Sequence, residues 1–135
     1  MQYIAPVIFT NYYMESSSKK VLVVEDNEYN MLYLVEVMSM YPLTLLTASN
    51  GHEAIDKARE HKPDLVLMDV KMPELSGYEA AKEIRTFLPN VVIIAQTAYM
   101  LDSETENGEN PFNDYLIKPI NKDQISRIVE RYLQN

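Results

Sequence analysis

The chain has 135 residues, 47% apolar and 24% charged, an ordinary globular balance that argues for one domain with a real core and against disorder. Its net charge of −8 and pI near 4.7 argue against direct nucleic-acid binding, which needs Lys and Arg to neutralise phosphates. Having no Cys, it has no disulfide, thiolate nucleophile or Cys-ligated metal site, a composition that fits a cytoplasmic chain.

The first 18 residues, "MQYIAPVIFTNYYMESSS", carry no basic leader and only a short apolar run broken by Pro6. Neither a signal peptide nor a membrane span is expected there. Residues 1–18 read as an N-terminal extension with two open roles. It is a linker, or its Tyr, Ile, Val and Phe content makes a strand or hook that docks on a neighbour, a second copy included.

From Lys19 to the end, short apolar runs alternate with helical stretches. "VLVV" (Val21 to Val24), "LVLM" (Leu65 to Met68) and "VVIIA" (Val91 to Ala95) are continuously apolar, as strands buried on both faces require. "LTLLTA" before Asn50 and "DYLI" before Lys118 are more mixed and suit outer strands. Helices are expected over Asn30 to Met40, over His52 to His61 and over Tyr78 to Phe87, with a last one from Lys122. The pairs Asn50 with Glu53, Ser76 with Glu79 and Asn121 with Gln124 have capping spacing. In the last helix Ile125, Ile128, Val129, Tyr132 and Leu133 fall on one face. The stretch from Leu101 to Asn113 holds Gly108, Pro111 and several Asn, so a shortened helix or a loop is expected. Five strands alternating with helices imply βαβ units and a doubly wound parallel α/β sheet filling residues 19–135 as one domain.

In such a sheet, ligands bind outside the C-terminal ends of the strands. Those ends carry Glu25 and Asp26 after "VLVV", Asp69 after "LVLM", Gln96 and Thr97 after "VVIIA", and Lys118 after "DYLI". Three carboxylates brought together repel and raise one another's pKa unless a cation joins them. Oxygen-only ligands select a hard ion such as Mg²⁺. A carboxylate can also be a nucleophile towards phosphorus, and phosphoryl transfer then needs mainly positioning and charge neutralisation.

Taken singly, each residue has a plainer reading. Asp69 is a strand-end carboxylate capping the next turn, Glu25 and Asp26 are helix N-caps, Lys118 is a surface lysine and Tyr115 a packing tyrosine. His52 and His61 stand alone on a helix and read as solvated, and the Met residues read as core filler. It is the set, at matching strand ends, that argues for a site.

In "VLVVEDNEYN", "LVLMDVKMPELSGYE", "IIAQTAYM" and "DYLIKPI", in that order and spacing, the chain resembles the receiver domain of two-component response regulators. The first and third of these are closest to receivers of hybrid sensor histidine kinases. The resemblance covers Lys19 to the C-terminus and implies a flavodoxin-like (βα)5 fold with strand order 2-1-3-4-5. It implies that Asp69 is the phospho-acceptor, attacking a phosphohistidine of a histidine kinase or histidine phosphotransfer protein. Glu25, Asp26, Asp69 and the backbone carbonyl of Lys71 would hold Mg²⁺, with Mn²⁺ as a substitute. Lys118 would bind a phosphoryl oxygen beside a Lys118-Pro119 bond that is often cis in this family. Thr97 would move onto the phosphoryl group, and Tyr115 would turn inward after it as an aromatic switch. The protein would be a signalling phospho-acceptor, not an enzyme acting on other substrates.

Three features depart from the common family pattern. Glu25 stands where many members have Asp, and Ser76 where many carry an acid before Gly77. The Gly- and Asn-rich stretch from Leu101 lies where the family's fourth helix forms part of its signalling face. Two other functions are therefore weighed: an interaction module whose output ignores phosphorylation, and a Mg²⁺-dependent hydrolase of small phosphate esters. The second lacks the usual acid/base Asp two residues beyond the nucleophile, a position held here by Lys71.

Overall fold

The computed structural model describes residues 2–4, 18–98 and 110–134. Six strands form one sheet: β1 (Gln2–Ile4), β2 (Lys20–Val24), β3 (Thr44–Ala48), β4 (Leu65–Asp69), β5 (Val92–Thr97) and β6 (Asp114–Ile117). Four helices are found among the described residues: α1 (Glu28–Met38), α2 (Gly51–His61), α3 (Gly77–Phe87) and α4 (Lys122–Tyr132). The sheet order is β1-β3-β2-β4-β5-β6. Strands β2 to β6 are mutually parallel, and numbered among themselves they run 2-1-3-4-5, as expected from the sequence.

Alternation along the central strands splits the core between the two faces of the sheet. Leu22, Val24, Val66, Met68, Ile93 and Ala95 pack under α2 and α3 through Ala54, Ala58, Ala80, Ala81 and Ile84. Val21, Val23, Leu65, Leu67, Ile94 and Leu116 pack under α1 and α4 through Leu34, Val37, Met38, Ile125, Ile128 and Val129. Both faces are covered, which is why these strands read as unbroken apolar runs. Of the residues expected on the inner face of α4, Tyr132 alone is half-buried. Its hydroxyl donates to Asp114 Oδ2 at 3.1 Å, and that bond keeps its tip at the surface.

Side-chain caps fix the helix starts. Asn50, Ser76 and Asn121 accept from the backbone N–H three residues on, and Ser76–Glu79 and Asn121–Gln124 form reciprocal capping boxes. Helix α1 begins two residues earlier than the apolar pattern indicated, because Asn27 caps it by accepting from Asn30 N at 3.0 Å. The shortened helix or loop expected between Leu101 and Asn113 lies outside the described residues as far as 109, and residues 110–113 are not helical.

The strand at "LTLLTA", expected on the outside of the sheet, has a further neighbour. Strand β1 pairs antiparallel with β3, Gln2 opposite Leu46 and Ile4 opposite Thr44, and covers its outer edge. This part of the N-terminal extension thus docks on its own sheet. The remainder of residues 1–17 lies outside the described residues.

The turn after β4 is pinned to the site by close backbone contact. Gly77 N donates to Val70 O at 2.8 Å, and a Cβ at Gly77 would stand 2.1 Å from Asp69 O and 2.8 Å from Val70 Cα. Only glycine lets the start of α3 lie so close to the end of β4. Gly77→Ala should therefore cost about 1–3 kcal/mol in urea unfolding, since the obstacle is backbone and cannot rotate away. A loss below about 0.5 kcal/mol, the range of neutral surface changes, would show that the turn yields freely.

Candidate functional site

The parallel register delivers the predicted residues to one edge. Asp69 and Gln96 are partners across β4 and β5, Thr97 pairs with Ile117, and Lys118 N donates to Thr97 O at 2.8 Å. Glu25 N donates to Ala48 O at 3.1 Å, which aligns the end of β2 with the end of β3. Glu25 and Asp69 are each 2% exposed and Thr97 is buried, whereas Asp26 is open to solvent.

Carboxylate oxygens of Glu25, Asp26 and Asp69 lie within 4.8 Å of one another. The positive charge against them is Lys118, whose Nζ stands 3.3 Å from Asp69 Oδ1 and 3.4 Å from Glu25 Oε1. Glu25 Oε2 accepts from Asn27 N at 3.2 Å. Glu25 Oε1 is buried and receives no hydrogen bond, the ammonium being its ionic neighbour. The site thus holds more negative than positive charge, with two of its three carboxylates buried.

That imbalance is visible in the proton affinities. Burial and the nearby Glu25 charge push the Asp69 carboxyl up to about 7, even though Lys118 pulls it down. Burial works against the Lys118 ammonium, but Asp69 and Glu25 outweigh it and hold its pKa above the ordinary lysine value. Three carboxylates whose oxygens lie within 4.8 Å of one another, faced by one ammonium, are what a hard divalent cation would satisfy. The donor set fits Mg²⁺.

The other expected residues fall around this centre. Lys71 lies two residues beyond Asp69, its side chain in solvent. The Lys118–Pro119 peptide is cis. Tyr115, half-buried on β6, packs edge-on to Phe112 at 5.9 Å and accepts from Asn110 Nδ2 at 2.8 Å. A cleft of about 600 Å³ opens beside the carboxylates, lined among others by Glu25, Asn30, Tyr33, Gln96 and Lys118. His52 is exposed, as expected, whereas His61, also expected in solvent, is half-buried with its Nε2 3.7 Å from Glu60 Oε1. Asn27 and Asn110 were given no role by the sequence reading. Asn27 Oδ1 accepts from Asn30 N and Asn110 Nδ2 donates to the Tyr115 hydroxyl, short-range side-chain bonds for which Asn near a helix start or turn is the available signal.

Residues 21–130 match the family model for the response regulator receiver domain, and the chain belongs to that family. Among curated relatives it is 36% identical, over 85% of its length and 96% of the relative's, to the polar-differentiation response regulator DivK of Brucella anthropi. Among solved structures it resembles the receiver domain of sensor histidine kinase PA1611 from Pseudomonas aeruginosa, described with a magnesium ion in its active-site cleft. There the TM-score is 0.77 at 33% identity, covering 86% of this chain and 98% of the other. It also resembles the receiver domain of Saccharomyces cerevisiae Ssk1, solved with the histidine phosphotransfer protein Ypd1, at a TM-score of 0.76 and 32% identity, over 85% and 88% of the two chains. The chain is thus a receiver domain of two-component signalling, and no described helix is long and apolar enough to cross a membrane.

The raised Asp69 pKa sets a sign for stability. A carboxyl whose folded pKa exceeds its unfolded value of about 3.9 destabilises the fold while ionised, and stability is regained as pH falls from about 8 towards 4. Asp69→Asn removes that charge at nearly constant shape. In Mg²⁺-free buffer it should raise Tm by about 3–6 °C at pH 8 and by clearly less at pH 5. A variant less stable than wild type at pH 8 would show that Lys118 already balances the cluster.

Proposed function

We propose that Asp69 is the phospho-acceptor of a two-component phosphorelay, taking the phosphoryl group from a phosphohistidine on a histidine kinase or histidine phosphotransfer protein. One observation carries this reading: a buried strand-end carboxylate with an ammonium at 3.3 Å and two more carboxylates within cation-sharing distance. An Asp69 oxygen attacks phosphorus in line, the P–N bond breaks, and the imidazole nitrogen keeps the electron pair. Glu25, Asp26, Asp69 and the Lys71 carbonyl are the groups that would hold Mg²⁺, with Mn²⁺ able to stand in. When bound, the ion supplies charge neutralisation for the phosphoryl oxygens and the attacking carboxylate.

Lys118 is placed to follow the transferred group. Its ammonium now bridges Asp69 and Glu25, and it exchanges the Asp69 oxygen for a phosphoryl oxygen with little movement. Thr97, at the end of β5, donates its hydroxyl to another phosphoryl oxygen. Tyr115 then leaves Asn110 and turns towards the space Thr97 has given up, so that β6 and its surroundings report the modification. Hydrolysis of the acyl phosphate resets the domain. Apart from this, it catalyses no reaction on other molecules, and it works in the cytoplasm.

The surface next to the site supports a protein donor. On α1, Tyr29 is 84% and Leu32 66% exposed, and Tyr33 lines the cleft that leads to Lys118. Apolar side chains held in solvent beside a reactive group suit the docking of another protein's helix. The relative solved with Ypd1 supports a phosphotransfer protein as one such partner.

Incubation with acetyl phosphate and Mg²⁺ should add one phosphoryl group in intact-mass measurements. The adduct should be lost in Asp69→Asn, fall by at least about tenfold with EDTA, and return with Mn²⁺. An adduct that persists in Asp69→Asn, or forms equally well in EDTA, would contradict the proposal.

A further inference from the structure

Gln96 follows the apolar run of β5, just before Thr97, and is 1% exposed. Leu or Met would fill the same volume without burying an amide. Its neighbours show what the amide does. The side-chain Nε2 donates to Val24 O at 3.2 Å, with Leu67 O at 3.5 Å. Its backbone carbonyl accepts from Val70 N at 3.1 Å. Val24 is the residue before Glu25, while Leu67 and Val70 flank the end of β4 that carries Asp69. From β5, this one side chain reaches across β4 to the end of β2.

The orientation of the amide follows from chemistry. Both groups facing its nitrogen are carbonyl oxygens, so turning the amide over would set oxygen against oxygen. Oε1 therefore faces away from them, and it is buried without a hydrogen bond. Among the described residues two buried side-chain atoms are in that condition, Gln96 Oε1 and Glu25 Oε1, and both residues line the cleft that also holds Lys118. Both atoms are acceptors: Glu25 Oε1 has the Lys118 ammonium 3.4 Å away, and Gln96 Oε1 is open to a donor from the cleft.

We infer that Gln96 is a positioning residue for the acidic site, tying the end of β2 to β4 and β5 and so setting Glu25 for metal binding. This rests on the metal-dependent reading above and adds to it a residue acting from outside the carboxylate set. Through Val24 O, the amide fixes the height of the β2 end, and with it the reach of the longer Glu25 side chain. Loss of the amide frees the end of β2 to shift relative to Asp69, while the apolar packing of β5 remains.

The test compares Gln96→Met with wild type and with Asp26→Asn by calorimetric titration of Mg²⁺ into the unphosphorylated full chain. The side-chain NH₂ signals of Gln96 are followed alongside by NMR. Wild type should show slowly exchanging Gln96 NH₂ protons whose shifts move as Mg²⁺ is added. Gln96→Met should bind Mg²⁺ about tenfold more weakly, with the metal-free Tm changed by no more than about 2 °C. Gln96→Glu, which keeps the size but loses the NH₂ donor, should fail to rescue affinity.

A Gln96→Met protein with affinity within twofold of wild type overturns the positioning role, as does a loss of Tm with unaltered affinity. If Asp26→Asn abolishes binding in the same series, that failure leaves the metal site itself standing. A wild-type protein that binds no Mg²⁺ overturns both readings.

Discussion

The structure turns on one electrostatic constraint: Asp69 is buried beside Glu25, and a single ammonium, Lys118, faces both. In water such a cluster would be screened and would count for little. At the buried end of a parallel sheet it holds the Asp69 proton affinity near neutrality and leaves a Glu25 oxygen without a hydrogen bond. Stability alone does not favour such an arrangement, because replacing buried ionic groups by apolar residues of similar volume is often neutral or stabilising. The strain makes sense if a cation and a phosphoryl group are the missing partners.

The rest of the fold holds that cluster in place. Continuous apolar strands bury both faces of the sheet, so the chain's polar chemistry is pushed to the strand ends. The close approach at Gly77 locks the turn after Asp69 against the start of α3. Asn27 joins two tasks, capping α1 with its side chain and donating its backbone N–H to Glu25. Backbone pairing from Thr97 to Lys118 sets the ammonium beside the acid. In this way the elements that make the domain stable also fix the distances within the acidic cluster and to Lys118.

Much of this was legible in the sequence, for physical reasons that differ between elements. The buried strands announced themselves as apolar runs, and alternation with helices gave the parallel sheet, while the strand order came from the resemblance to receiver domains. The capping pairs at Asn50, Ser76 and Asn121 were readable because a cap is a local hydrogen bond between residues three apart. The start of α1 was misplaced because Glu28 and Tyr29 are exposed and lie outside the apolar pattern. The pairing of Gln2–Ile4 with β3 depends on residues some forty positions away, and three residues carry no periodicity of their own. Glu25, Asp26, Asp69, Thr97 and Lys118 were found because each closes a strand. Gln96 was seen in the same position, yet its bond to Val24 spans 72 residues and leaves no trace in spacing.

The most direct test of the central claim is a titration of the Asp69 carboxyl by carbon-detected NMR, with and without saturating Mg²⁺. The Asp69 carboxyl should titrate near 7 in metal-free buffer and fall well below that, into the ordinary carboxylate range or lower, when the ion is present. An Asp69 that titrates near 4 without metal and is unmoved by Mg²⁺ would contradict it, since the cluster would then be balanced by Lys118 alone and would need no cation.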